Sequence, residues 1–127
     1  MHELHRHLNG TRGAAAACAL LDPEKCLLRY AGVGNITGVI AAAGAQKGLL
    51  SHNGTLGATL RRAPQLDYPW NAGSVLVMHS DGLSSRWSLA EDAELGVRHP
   101  AVIAAVLYRD RSRQRDDATI IVASRRP

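Results

Sequence analysis

Eight residues constrain the fold of this chain more than any others. The run Val75-Leu76-Val77-Met78 is unbroken and apolar, and it stops at His79-Ser80-Asp81-Gly82. A short apolar run bounded by turn residues reads as a buried strand, and a strand ending this way delivers the Asp81 carboxylate to the rim of a sheet. Further along, Asp116-Asp117-Ala118-Thr119 leads straight into a second apolar run, Ile120-Ile121-Val122-Ala123. If the two strands are neighbours in space, their acids converge, and converging carboxylates suit one hard cation.

Composition limits what can surround such a pair. At 127 residues the chain fits one small domain or a piece of a larger one. Hydrophobic residues make up 46%, which excludes a disordered sequence. Much of that figure is alanine and glycine and there is no phenylalanine, so the expected core is thin, with closely approaching backbones. No stretch approaches the roughly 20 apolar residues of a membrane span. Ala14–Leu21 is short and flanked by Arg12 and Asp22, and no signal peptide is visible. The expectation is a soluble, cytoplasmic protein with no membrane partner. Cys18 and Cys26 flank the turn Asp22-Pro23-Glu24-Lys25. A hairpin there would set Cys18 opposite a residue near Arg29, so the expectation is two buried, reduced thiols and not a disulfide.

The net charge is +4 and the pI about 9.6. Arg109, Arg111, Arg113, Arg115, Arg125 and Arg126 carry much of the excess. A basic stretch could draw nucleic acid or a phosphorylated partner. Aromatic residues are only 4% of the chain, however, so the stacking platforms of single-strand binders are scarce. The balance argues against nucleic acid and for a solvated face.

The remaining pattern is strand-rich. Met1–His7 reads as the tail of a helix closed by Asn9-Gly10. Gly13–Leu21 reads as a buried strand, and Leu27–Ala31 as its hairpin partner. Gly32-Val33-Gly34-Asn35 breaks the pattern before a third strand, Ile36–Ala42, and a fourth, Gly48–Ser51. Leu60–Pro69 reads as irregular and covering an edge. Gly73 opens the strand ending at Asp81, and Leu83–Leu95 is loop with one helical turn. Pro100–Tyr108 is the clearest helix, with Pro100 in its first turn and Val102, Ile103, Val106 and Leu107 on one face. A last strand covers Thr119–Ser124. With no repeat or linker the chain reads as a single unit, an α+β layered architecture of mostly antiparallel strands with flanking helices.

Mg²⁺ and Mn²⁺ favour carboxylate, carbonyl and water oxygens. Asp81 and Asp116 are the candidate metal ligands. Gly82 would admit a close backbone approach, and Asp117 and His79 could support the ligands. The bland alternative is that Asp81-Gly82 is a turn and Asp116-Asp117 a solvated pair. His2, His5 and His7 miss the H-E-x-x-H pattern because Arg6 stands where the second histidine would be. Ser80 lacks the G-x-S-x-G context of a nucleophile, so no covalent catalytic residue is assigned. Gly32–Asn35 lacks the Lys-Ser/Thr of a phosphate loop and reads as a tight turn. Asn53-Gly54 reads as a turn with positive φ.

Val75–Gly82 with its Ser-Asp-Gly ending, and Asp116–Thr119 before the last strand, resemble the two acidic motifs in the C-terminal half of metal-dependent PPM protein phosphatases. Thr11–Ala15, Ala31–Ile36 and Ser51–Gly54 narrow the resemblance to the bacterial SpoIIE/RsbX-like branch, and the motifs keep the family order over nearly the whole chain. The resemblance implies a partial PPM-like β-sandwich with flanking helices. It also implies a two-metal Mn²⁺ or Mg²⁺ site where an activated water attacks phosphoserine or phosphothreonine directly. On that basis Asp81 is the ligand shared between metals, Asp116 a ligand of the second metal, and Asp117 a supporting residue.

The family's earlier Asp-Gly motif has no counterpart here, since Glu3 is the sole carboxylate before Asp22. Residues 1–127 therefore read as the C-terminal portion of such a domain, with an incomplete site, little or no activity alone, and weak metal binding. The implied substrate is a phosphorylated STAS or anti-sigma antagonist protein. A partner chain or dimer would cover open sheet edges. The competing reading is a non-catalytic module that binds an anti-sigma or STAS-type regulator, with Arg109–Arg115 as a candidate surface.

Overall fold

A computed structural model describes residues 1–60, 62–113 and 116–126. In chain order the elements are α1 (His2–His7), β1 (Ala16–Asp22), β2 (Leu27–Val33), β3 (Thr37–Ala42), β4 (Ala45–Leu49), β5 (Ser51–His52), β6 (Leu66–Pro69), β7 (Val75–His79), α2 (Ala93–Gly96), α3 (Pro100–Arg111) and β8 (Ile120–Ser124). They fall into two compact units, and neither is one continuous piece of chain. The first unit is Met1–Ile36 with Leu50–Pro69; the second is Thr37–Leu49 with Trp70–Pro127.

In the first unit β1 and β2 form an antiparallel hairpin running from Asp22↔Leu27 to Ala16↔Val33. Its turn is tied by the Lys25 N–H donating to Asp22 Oδ1 at 3.0 Å. That donated bond holds the Asp22 carboxyl below its ordinary pKa. Since β1 occupies one side of β2, β5 and β6 share the other. β5 runs parallel at Gly32 and Val33, and β6 antiparallel from Leu27 to Tyr30. Tyr30 is fully buried, with its hydroxyl 2.8 Å from Ser51 Oγ. Ser51 Oγ donates to the Ile36 carbonyl at 2.8 Å, so the Tyr30 hydroxyl is the donor to Ser51. Burial pushes the Tyr30 phenol above its ordinary pKa. Val33, Leu56 and Ala63 form a small buried cluster, flanked by Met1, Leu8, Ala16 and Leu60.

The second unit carries the order β4-β3-β7-β8, antiparallel throughout. All five residues of β7 are buried, as its unbroken apolar run requires. Register sets Val77 between Val39 and Val122, and these side chains join one core with Ile103 and Leu107 of α3. His99 caps α3, its Nδ1 accepting the Ala101 N–H at 3.2 Å, and Pro100 occupies the first turn. The β3–β4 turn is two residues, Ala43 and Gly44, at φ 49° and 75°. Positive φ at both central residues fits the twist of a two-residue hairpin.

The two mostly antiparallel sheets with few helices bear out the α+β class. Several local expectations are corrected. Leu66–Pro69 is a strand, with Leu66 and Tyr68 turned inward and Asp67 and Pro69 exposed. A proline tolerated at a strand terminus hid it. β1 starts at Ala16 and is half-buried, not buried. β4 starts at Ala45, because the preceding turn needs only two residues. The cysteine expectation holds in part: both thiols are free, but both are exposed, and Cys18 lies opposite Ala31. The turn is Pro23–Cys26, one residue later than expected, which moves the partner of Cys18 by two, and Cys26 sits in it at φ 51°.

Candidate functional site

The candidate acids sit in two loops of the second unit. β7 ends at His79, and the Leu83 N–H donates to the Ser80 carbonyl at 3.2 Å, folding Asp81-Gly82 into a tight turn. The Asp116–Thr119 segment approaches this turn just before β8. Ser80 fastens the two loops together. Its N–H donates to the Thr119 carbonyl at 3.0 Å, and its Oγ accepts the Thr119 N–H at 3.0 Å. The same hydroxyl donates to the Asp117 carbonyl at 3.4 Å.

Gly82 fits because it has no side chain. A Cβ there would lie 2.8 Å from the Asp117 carbonyl carbon and 2.9 Å from Ala118 Cα, closer than real Cβ contacts come. On its other flank, the Arg113 N–H donates to the Gly82 carbonyl at 2.9 Å, and the Ser84 N–H donates to the Arg111 carbonyl at 2.9 Å. Gly82 is thus wedged between two backbone segments, more constrained than a plain turn glycine. The carboxylates of Asp81, Asp116 and Asp117 are all at exposed residues. Asp116 Oδ1 accepts the N–H of Asp117 at 3.0 Å, which steadies that side chain.

His79 faces the other way. It is 2% exposed, and its ring lies against Trp87, centroids 5.9 Å apart and tilted by 56°. Its Nδ1 is 2.8 Å from the Ser80 carbonyl. A carbonyl only accepts, so Nδ1 carries the proton. His79 therefore braces the residue that joins the loops. Its Nε2 and the Trp87 Nε1 are buried without a hydrogen-bond partner.

An oxygen-only donor set on exposed loops suits a hard dication such as Mg²⁺ or Mn²⁺. It is a partial set, because no group of three or more His, Cys, Asp or Glu able to hold a metal occurs among the described residues. The histidines of α1 have other contacts: His5 Nδ1 accepts the Gly57 N–H at 2.9 Å, and His7 Nδ1 lies 2.9 Å from the Glu3 carbonyl. In the arginine-rich stretch Arg109 pairs with Asp110 at 2.6 Å, which raises the Arg109 pKa and lowers that of Asp110. Arg111 and Arg113 are exposed, and Arg115 lies outside the described residues.

The role of Ser80 escapes sequence reasoning. Weighed as a nucleophile it has no supporting context, yet a hydroxyl at a strand end beside an acid is a signal for loop bridging. In the first unit, three loop segments meet: Gly13–Ala15, Gly34-Asn35 and Asn53–Thr55 line one open cavity of about 600 Å³. Gly54 has φ 144°, so the Asn53-Gly54 turn does require positive φ.

Comparison with known proteins identifies the family and the fold. The family described as Stage II sporulation protein E (SpoIIE) matches residues 1–126. A solved chain of the bacterial stressosome, described as a modular system adapted to control secondary messenger signaling, is 30% identical with a TM-score of 0.79; the match covers 93% of this chain and 62% of that one. RsbX in complex with magnesium is 21% identical, TM-score 0.75, over 93% of this chain and 59% of RsbX. The serine/threonine phosphatase PstP/Ppp of Mycobacterium tuberculosis is 16% identical, TM-score 0.70, over 91% of this chain and 61% of the phosphatase. The chain thus spans about three-fifths of the length of these solved relatives. No curated protein matches. No helix among the described residues is long and apolar enough to cross a membrane. The chain belongs to the SpoIIE family and has the PPM-type phosphatase fold of its SpoIIE/RsbX-like branch.

Proposed function

We propose that this SpoIIE-family chain works in phosphoserine/phosphothreonine signalling of the bacterial stress or anti-sigma type, as part of a cytoplasmic, metal-dependent protein phosphatase domain. The observation that carries the reading is the joining of two acidic loops through Ser80, which brings the backbones of Gly82 and Asp117 into contact. Asp81 and Asp116 hold the metal and Asp117 supports Asp116. Gly82 allows the close approach, and His79 fixes the Ser80 carbonyl from the core side. Bound Mn²⁺ or Mg²⁺ would lower the pKa of the attacking water and offset charge growing on the phosphoryl oxygens. Among the described residues too few carboxylates are grouped for two such ions. Residues 1–127 are accordingly read as the C-terminal portion of the domain, with the remaining ligands coming from another segment or a partner chain. The substrate proposed is a phosphorylated STAS or anti-sigma antagonist protein.

A second reading follows from the partial donor set: a non-catalytic module that binds the regulator without turning it over. Hydrolysis of a phosphoserine peptide, with and without millimolar Mn²⁺, separates the two. The expected result for residues 1–127 alone is little or no turnover from a chain folded by circular dichroism. Metal-dependent turnover lost in both Asp81→Asn and Asp116→Asn would show a complete site and refute the partial-site reading. Mn²⁺ binding unchanged by both substitutions would leave the interaction module as the reading that stands.

A further inference from the structure

Beside the acidic loops lies a second, differently built pocket. Ser85, Arg86, Trp87, Ser88, Glu91, Asp92 and Arg111 line a cavity of about 440 Å³ in the second unit, within the usual size range of ligand sites. Its wall is held in place. The Gln46 side-chain amide spans two residues of the loop, Nε2 donating to the Trp87 carbonyl at 3.1 Å and Oε1 accepting the Leu89 N–H at 2.8 Å. Ser88 Oγ accepts the Glu91 N–H at 3.3 Å. Asp92 Oδ1 accepts the Leu95 N–H at 2.9 Å. Trp87 packs its ring against His79.

The charges around this cavity are balanced and yet kept apart. Arg86, Arg111, Glu91 and Asp92 are all exposed. Among the described residues no ion pair joins either arginine to either acid. Exposed opposite charges gain little from pairing through water, but a ligand carrying both signs could meet both rims. The pocket is also tied to the candidate site. Arg111 accepts the Ser84 N–H through its carbonyl, and two residues on, Arg113 donates to Gly82.

We propose that this pocket takes a mixed-charge peptide segment, an acidic residue against Arg86 and Arg111 and a basic one against Glu91 and Asp92. Resting on the phosphatase reading, that segment is the stretch of substrate flanking the phosphorylated residue. Arginine suits the acidic side, because its planar fork accepts a carboxylate through two donors.

Isothermal titration calorimetry of the chain tests this with four synthetic peptides. Two carry neighbouring acidic and basic residues next to serine or phosphoserine; two replace those neighbours with alanine and glutamine. The mixed-charge peptide without phosphate should bind, and Arg86→Ala or Arg111→Ala should weaken it at least tenfold. Glu91→Gln should weaken it less, and Asp81→Asn should leave it unchanged. Equal affinity for charged and neutral flanks, or full affinity in both arginine variants, would overturn the pocket. The phosphatase reading is read separately: extra affinity from phosphate in the presence of Mn²⁺, abolished by Asp81→Asn, supports it. Its absence sinks that reading and leaves the pocket as a peptide site.

Discussion

The two units solve the problem of a thin core in different ways. In the first, backbones press together at glycine. A Cβ on Gly13, Gly34, Gly54 or Gly57 would collide with a neighbouring backbone or alanine, and all four have positive φ. In the second, the positive-φ glycines Gly44 and Gly73 meet nothing within 4 Å, and cohesion comes from side chains gathered on Val77, Ile103 and Leu107. Gly82 is a crowded glycine of the second unit, and it sits between the candidate acidic loops. Where large side chains are few, close backbone contact stands in for them, and the same device brings together the two loops that carry the candidate acids.

Four substitutions test that contrast. The largest effect is expected in the core of the second unit. Ile103→Ala, at a fully buried residue, should cost about 2–5 kcal/mol in denaturant unfolding. Leu56→Ala in the small cluster should fall at the lower end of that range, because partly exposed neighbours can close over the gap. Equal losses would break the distinction. Next, Gly57→Ala should cost about 1–3 kcal/mol through overpacking against Leu8, and about 1–2 more through its left-handed conformation, at φ 86°. Gly44→Ala, in open space, should show the conformational part alone; the same loss at both would show that crowding contributes nothing.

The smallest effect concerns Tyr30. Removing its hydroxyl in Tyr30→Phe should cost about 0.5–1.5 kcal/mol near neutral pH, since Ser51 keeps its bond to Ile36. The folded pKa of Tyr30 is raised above the ordinary 10.0. Its contribution is therefore fully present below pH 10.0 and is lost as pH rises through the raised value. Stabilities of wild type and Tyr30→Phe should converge in that window, with the variant the less sensitive to pH. Parallel curves would mean that ionisation of Tyr30 does not limit the first unit.

Elements that bury themselves were legible in the sequence. β7, β8 and α3 carry continuous or periodic apolar residues, and their types and approximate limits follow from that. β6 was not legible, because its four residues, ending in proline, are a strand only by virtue of β2. The partner of Cys18 was missed for a related reason: the residue at which the turn starts sets the register of a whole hairpin, and no local pattern announces it. The acidic loops could be placed at strand ends from sequence, and their adjacency in space could be stated only as a condition. What meets that condition is the Ser80 hydroxyl and the missing side chain of Gly82, features that count only once two distant segments are known to touch. The Arg86–Arg111 pocket was beyond sequence reasoning altogether, since its residues come from the loop before α2 and the last residue of α3.

The interleaving of the two units has a consequence for how the protein is made. Chain leaves the first unit after Ile36, returns at Leu50, and leaves again after Pro69. When the β1–β2 hairpin has emerged from a ribosome, the strands that complete the other side of β2 have not, and β3 and β4 come out before them. β7 waits longer, until Ser124, for its second partner. Pairings this distant along the chain close slowly, so half-made sheets with open edges persist during synthesis. No single cut frees either unit intact, and a nascent chain stalled anywhere before β8 is a candidate for chaperone capture or edge-to-edge association.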